Sequence, residues 1–113
     1  MGRIELLEQF IAASPADPFP RYGLAIELKN AERLEEAERA FSELTLRFPD
    51  YTAAYLHAGN VLVRLGKRSE AVEIYRKGIT ACTNKRDEHA RSELEAALAA
   101  LESGGDEDGE VQP

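Results

Sequence analysis

The sequence predicts an all-α fold, a stack of antiparallel helix pairs with about six helices. Three observations predict it. Apolar residues recur at helical spacing from Ile4 to Leu101. No segment alternates apolar and polar residues over the length of a strand. The helical pattern also returns at one fixed chain separation, that of Pro15 from Pro49, the mark of a repeat.

Each element follows from its stripe and its punctuation. Ile4, Leu7, Phe10 and Ile11 mark a helix near 3–13, stopped at Ser14-Pro15 because the residue before proline disfavours helical angles. Asp17-Pro18 supplies an N-cap and a preset first residue for a helix near 18–31, with Tyr22, Leu24, Ala25 and Leu28 as its stripe. Asn30 is placed to end that helix in the left-handed conformation. Leu34, Ala37, Phe41 and Leu44 define a third helix near 34–47, closed by Phe48-Pro49-Asp50. Tyr55, Ala58, Gly59 and Leu62 give a fourth near 52–65, with Gly66 fitted to the left-handed residue after it. Ala71, Ile74, Tyr75 and Ile79 give a fifth near 69–82. Ala90, Leu94, Ala97, Leu98 and Leu101 give a sixth near 86–102, which runs out at Ser103-Gly104-Gly105. Every connection is short, so neighbouring helices lie antiparallel.

Composition bounds the function. The 113 residues are 43% apolar and 31% charged, enough for one core and for solubility. The net charge of −7 is unevenly placed: residues 102–113 hold five acids and no base, against 16 acids and 14 bases before them. A single domain over 1–102 is expected, followed by a disordered acidic tail over 103–113, which has one core-type residue, Val111, to repay its ordering entropy. No clustered basic face suits nucleic acid, and no apolar run reaches the ~18 residues of a membrane span. The start shows neither a secretory core nor an acylation signal, and the single Cys82 cannot staple the chain, so a cytoplasmic location is expected.

The repeat carries the packing logic. The shift that sets Pro15 on Pro49 also sets Ala25 on Gly59, Leu28 on Leu62, Ala37 on Ala71 and Phe41 on Tyr75. Small falls on small and aromatic on aromatic, as two closely crossing helices require. Glycine inside a helix costs about 1 kcal/mol relative to alanine, so Gly59 and Gly78 imply that something presses on them. A helix pair built this way still exposes an apolar flank and must stack on another pair.

These positions resemble the tetratricopeptide repeat family, whose unit of about 34 residues is a helix–turn–helix. Small residues lie midway along its helices, an aromatic stands in the second helix, and a proline marks the exit. Tyr55, Ala58-Gly59, Leu62, Gly66, Ala71, Tyr75 and Gly78 carry the resemblance best, with Leu24-Ala25, Leu28, Ala37, Phe41, Leu44 and Pro49 in the first unit. The resemblance implies a tetratricopeptide-like superhelix, or α-solenoid. Its units are 18–49 and 52–83, between a half unit over 3–15 and a capping helix over 86–102 with Arg91, Glu93 and Glu95 on its wet side. Arg21 departs from the bulky apolar residue that Tyr55 supplies, Glu32 from Gly66, and Thr83 from Pro49, which leaves the turn geometry of the first unit open.

Catalytic chemistry finds no foothold. Neither paired cysteines nor a His-x-x-x-His motif exists, and no glycine loop is built to hold phosphate, so no metal, no cofactor and no catalytic residue is expected. A Cys82–His89 pair lacks a third orienting group. The resemblance implies instead a concave trough that takes a peptide segment or protein surface. Helical phase assigns to it Tyr22, Ile26 and Lys29 (with Phe19 and Asn30), Leu56, Asn60 and Arg64 (with Ala53 and Val63), and Arg91 (with Asp87 and Ala90). Asn60 suits peptide backbone, and Arg64 and Arg91 suit a carboxylate. Against this stands the reading in which the sixth helix covers the trough and Tyr22, Ile26 and Leu56 are plain core. The Lys/Asn/Asn/Lys/Arg clamp of some members is matched only at Asn60 and Arg91 and is not expected here. The alternative function is self-association as a homodimer, because Ile4, Leu6, Leu7, Phe10 and Ile11 spread over more of the first helix than one neighbour covers.

Overall fold

The computed structural model describes residues 2–110, with side chains over 2–104, and among these it holds six helices and no strand. They are α1 (Arg3–Ala13), α2 (Pro18–Asn30), α3 (Leu34–Arg47), α4 (Ala53–Arg64), α5 (Arg68–Lys85) and α6 (Glu88–Glu110). Each packs on the next in sequence, and α2, α4 and α6 also lie side by side across the stack. The expected all-α stack of helix pairs is the observed one.

Helix ends follow local chemistry. Asp17 accepts the Phe19 N–H at 3.1 Å, with Pro18 and Pro20 in the first turn, where no N–H is missed. Asn30 stays helical, and the left-handed residue after α2 is Glu32, at φ 63°. The two repeat turns then match: Arg33 N–H donates to the Leu28 carbonyl at 2.9 Å, and Lys67 N–H to that of Leu62 at 2.8 Å. Glu32 therefore takes the conformation that Gly66 adopts at φ 76°, with the steric strain of a non-glycine residue there. The turn geometry is set by the packing of the helices around it.

Two helices run past their expected ends. Thr83 keeps the backbone N–H that Pro49 lacks, so α5 continues beyond 82 to Lys85 and stops only where Arg86 turns left-handed at φ 58°. Asp87 then caps α6, accepting from the Ala90 N–H at 3.2 Å, which moves the start from 86 to 88. The α6 backbone continues past 102 to Glu110, into the segment read from sequence as a disordered tail, since extending an existing helix needs no new nucleus. Residues 111–113 of that segment lie outside the described residues.

The core is continuous along the stack. Ala25, Leu28, Ala37, Phe41, Leu44, Ala54, Ala58 and Val61 form its N-terminal part. Tyr55, Tyr75, Ala81, Cys82 and Leu94 form its C-terminal part, and half-buried Ile74 packs against both. The glycines are pressed as their sequence positions implied. A Cβ on Gly59 would run into the Tyr75 ring, and one on Gly78 would lie 2.5 Å from Tyr55 Cβ and 2.9 Å from Leu94 Cδ1. Arg21, at the place of Tyr55, is covered to within 14% of its side-chain surface and reaches Glu43 at 3.5 Å.

Candidate peptide groove

Helices α2, α4 and α6 bring the sequence-assigned residues onto one side of the stack. Tyr22 and Ile26 are half-buried against the N-terminal core, and Leu56 is half-buried against the C-terminal core. Helix α6 packs on α5 and α4 and makes no packing contact with α2, so it does not close over the trough. Each of these side chains is partly covered by the core and partly exposed.

The polar residues are more committed than the sequence suggested. Asn60 Oδ1 accepts the Tyr75 hydroxyl at 2.5 Å, so half of its amide is already used inside the protein. Arg64 is paired with Glu32 at 2.5 Å and Arg91 with Glu88 at 2.7 Å. Both pairs lie at the surface, and the Nε of Arg91 is buried without a partner. Asp87 serves α6 as cap and takes the Thr52 hydroxyl at 2.7 Å, bonds that hold its carboxyl below the usual range. These bonds give it a structural role. Phe19 and Val63 are exposed.

Two features gather on this side. Lys29 Nζ approaches His57 Nδ1 to 3.2 Å, and the imidazole lies edge-on to Tyr22 and stacks on Phe41, with centroids 6.0 and 6.4 Å apart. Between α4 and α6 opens a cleft of about 580 Å³, whose walls include Asn60, Val63, Tyr75, Ala97, Ala100 and Leu101. Of the sequence-assigned residues it gathers Asn60 and Val63, and not Tyr22, Ile26, Lys29, Leu56, Arg64 or Arg91. Sequence reasoning missed the α6 wall because Ala97 and Leu101 share the stripe that also packs against α5.

Burial lowers the pKa of His57 from its ordinary 6.5, the Lys29 charge lowers it further, and Glu93 opposes both. A neutral folded-state ring gives stability that is complete above 6.5 and is lost as pH falls through the lowered value. Wild type is expected to lose melting temperature between pH 7.5 and 5.5 more steeply than His57→Gln, as paired thermal melts would show. Parallel slopes would remove His57 as the cause. Asp87 does not confuse this window, since a depressed carboxyl acts at lower pH.

The Cys82–His89 pair is not assembled. Cys82 is fully buried and burial pushes its thiol up, away from thiolate, while exposed His89 lies 3.6 Å from Glu93. No group of three or more potential metal ligands forms among the described residues, and no helix there is long and apolar enough to cross a membrane.

No protein-family model matches the sequence, and neither does any curated protein. Solved structures do. A tetratricopeptide repeat domain protein from Salinibacter ruber is 34% identical, with a TM-score of 0.73 over 76% of this chain and 97% of that one. The TPR2B domain of yeast Sti1, solved in a pHsp70 complex, superimposes with a TM-score of 0.82 at 14% identity, covering 89% of this chain and 81% of its own. PcrH, solved with the chaperone-binding region of PopD, gives 0.82 at 16% identity over 90% and 77%. Helix pairs of matching register, glycines pressed by aromatic rings and the identity to the Salinibacter domain agree: the chain belongs to the tetratricopeptide repeat family.

Proposed function

We propose that this chain is a non-catalytic interaction module that holds a peptide segment in the trough of α2, α4 and α6. Units 18–49 and 52–83 are its working parts, between the half unit 3–15 and the cap that begins at α6. The cleft between α4 and α6 carries the reading: apolar Val63, Ala97 and Leu101 stand beside the amide of Asn60, a mix that suits a side chain and its backbone together. Sti1 TPR2B and PcrH, which share the fold, were each solved with a partner segment. The trough walls are tied to the core, so little ordering is left for the module to undergo on binding. A buried, unreactive Cys82 thiol suits a reducing compartment such as the cytoplasm.

Asn60→Ala would strip the Tyr75 hydroxyl of its partner, so a charge placed in the cleft is the cleaner probe. Peptides selected from a random displayed library on wild type are expected to bind Val63→Glu at least ~10-fold more weakly, the loss of one buried apolar contact. The melting temperature should hold, since Val63 is already exposed. Selected peptides that bind both proteins alike would place the site elsewhere.

A further inference from the structure

Helix α1 packs on one neighbour only, α2. Its register shows what is missing. One and two repeat lengths further along the chain, Leu6 falls on Ala40 and Ile74, and Phe10 on Leu44 and Gly78. Leu44 is fully buried, and Gly78 is pressed between Tyr55 of the preceding helix and Leu94 of the following one. Among the described residues Phe10 packs toward a following helix only, and 50% of it is exposed, with Leu6 at 42%. The covered side of α1 obeys the same register: a Cβ on Gly23 would meet Leu7 at 3.2 Å, where one unit later His57 stacks on Phe41. Leu6 and Phe10 are thus two of the five large exposed apolar side chains among the described residues.

We propose that the open face of α1 is covered by α1 of a second copy, packed antiparallel about a two-fold axis. Leu6 and Phe10 are one helical turn apart, so an axis midway between them sets the Leu6 of each copy against the Phe10 of the other. The same axis sets Arg3 against Ala13, and Arg3 is already paired with Glu27 of its own chain at 2.8 Å. Like charges do not meet on this stripe. Charge also bears on which ends associate. The acids of 102–113 belong to the segment of α6 and beyond, and α6 does not pack on α1, so contact through α1 does not require the two acidic segments to meet. Helix α6 exposes Glu88, His89, Ser92, Glu93 and Glu95 beside small Ala96, Ala99 and Ala100, and no large apolar side chain comparable to Leu6 and Phe10. With one apolar end and one charged end, association closes at two. Leu6 and Phe10 from each copy make a small interface, below the ~1,200 Å² of stable complexes, so the dimer depends on concentration.

Sedimentation equilibrium of the full chain from micromolar to millimolar concentration tests this. Wild type is expected to pass from monomer to dimer and no further, and Phe10→Glu to stay monomeric with an unchanged melting temperature. Leu46→Glu, at the most exposed large apolar side chain (76%), is expected to dimerise like wild type. Should Phe10→Glu fail to fold, Gln9→Cys beside the axis decides, since buried Cys82 does not compete and air oxidation should link two copies. A wild type monomeric throughout, assemblies beyond two, a dimer that survives Phe10→Glu or is lost in Leu46→Glu, or an unlinked Gln9→Cys would each overturn the proposal.

Discussion

Phe41→Ala is expected to destabilise the chain by about 3–5 kcal/mol, read as a lowered midpoint in urea. Phe41 is 1% exposed at the centre of the N-terminal core and stacks on His57. Removing the ring deletes its transfer free energy and leaves a void next to a cavity of about 160 Å³ that Phe41, Ala58, Leu62 and Ile74 already line. The surrounding helices cannot collapse into it, because Ala25 and Ala37 are fully buried beside it and have no side chain to extend. For a single domain of ordinary stability, ~5–15 kcal/mol, this is a large share of the total. A loss below ~1 kcal/mol would mean that the helix pair stands without its aromatic wedge, contrary to the large-to-small rule for cores.

The same position shows what the sequence made legible and what it hid. Phe41 and Tyr75 were readable as one repeat place, and the helix stack followed from that class of match. The partner of each aromatic was not readable. The repeat register sets Ile26 on Asn60, and Ile26 packs against the core that holds Phe41, so the first unit has an apolar residue where the second offers Tyr75 an amide. The Tyr75 hydroxyl needs an acceptor when buried, and Asn60 supplies it at 2.5 Å. Helical phase assigned Asn60 to the trough but could not say that its oxygen was already taken. Phe41→Tyr should therefore lose stability, its hydroxyl facing Ile26, and Ile26→Asn should recover part of that loss.

Arg64 and Arg91 were hidden for a related reason. Phase fixes the direction of a side chain's base, but a long side chain chooses its partner over several ångströms. Arg64 turns to Glu32 in the preceding turn and Arg91 to Glu88 one turn back. Half-buried Tyr22, Ile26 and Leu56 have no such freedom, and their positions follow helical phase closely. The trough is therefore better defined by its apolar floor and by the α4–α6 cleft than by its charges.

Gly78→Ala is expected to destabilise the chain by ~3 kcal/mol, after the gain of about 1 kcal/mol that alanine brings to a bare helix. The obstruction is the Cβ of Tyr55, 2.5 Å from the new methyl, and a Cβ moves only if its backbone moves. Gly59 differs, because the atoms facing it belong to the ring of Tyr75, which can pivot at the cost of its bond to Asn60. At Gly78 the second obstacle is Leu94 of α6, 1% exposed, so α4 and α6 are both pushed from α5. The cap should loosen first, since α6 holds only to α5 and α4, whereas α4 is also held by α2 and α3. Amide exchange in Gly78→Ala is therefore expected to rise in α6 ahead of α2 and α3, together with a lower melting temperature. An unchanged melting temperature would show that α5 can shift without cost and that Gly78 is not needed for close crossing. Uniform exchange over all six helices would show instead that the cap and the first unit open as one body.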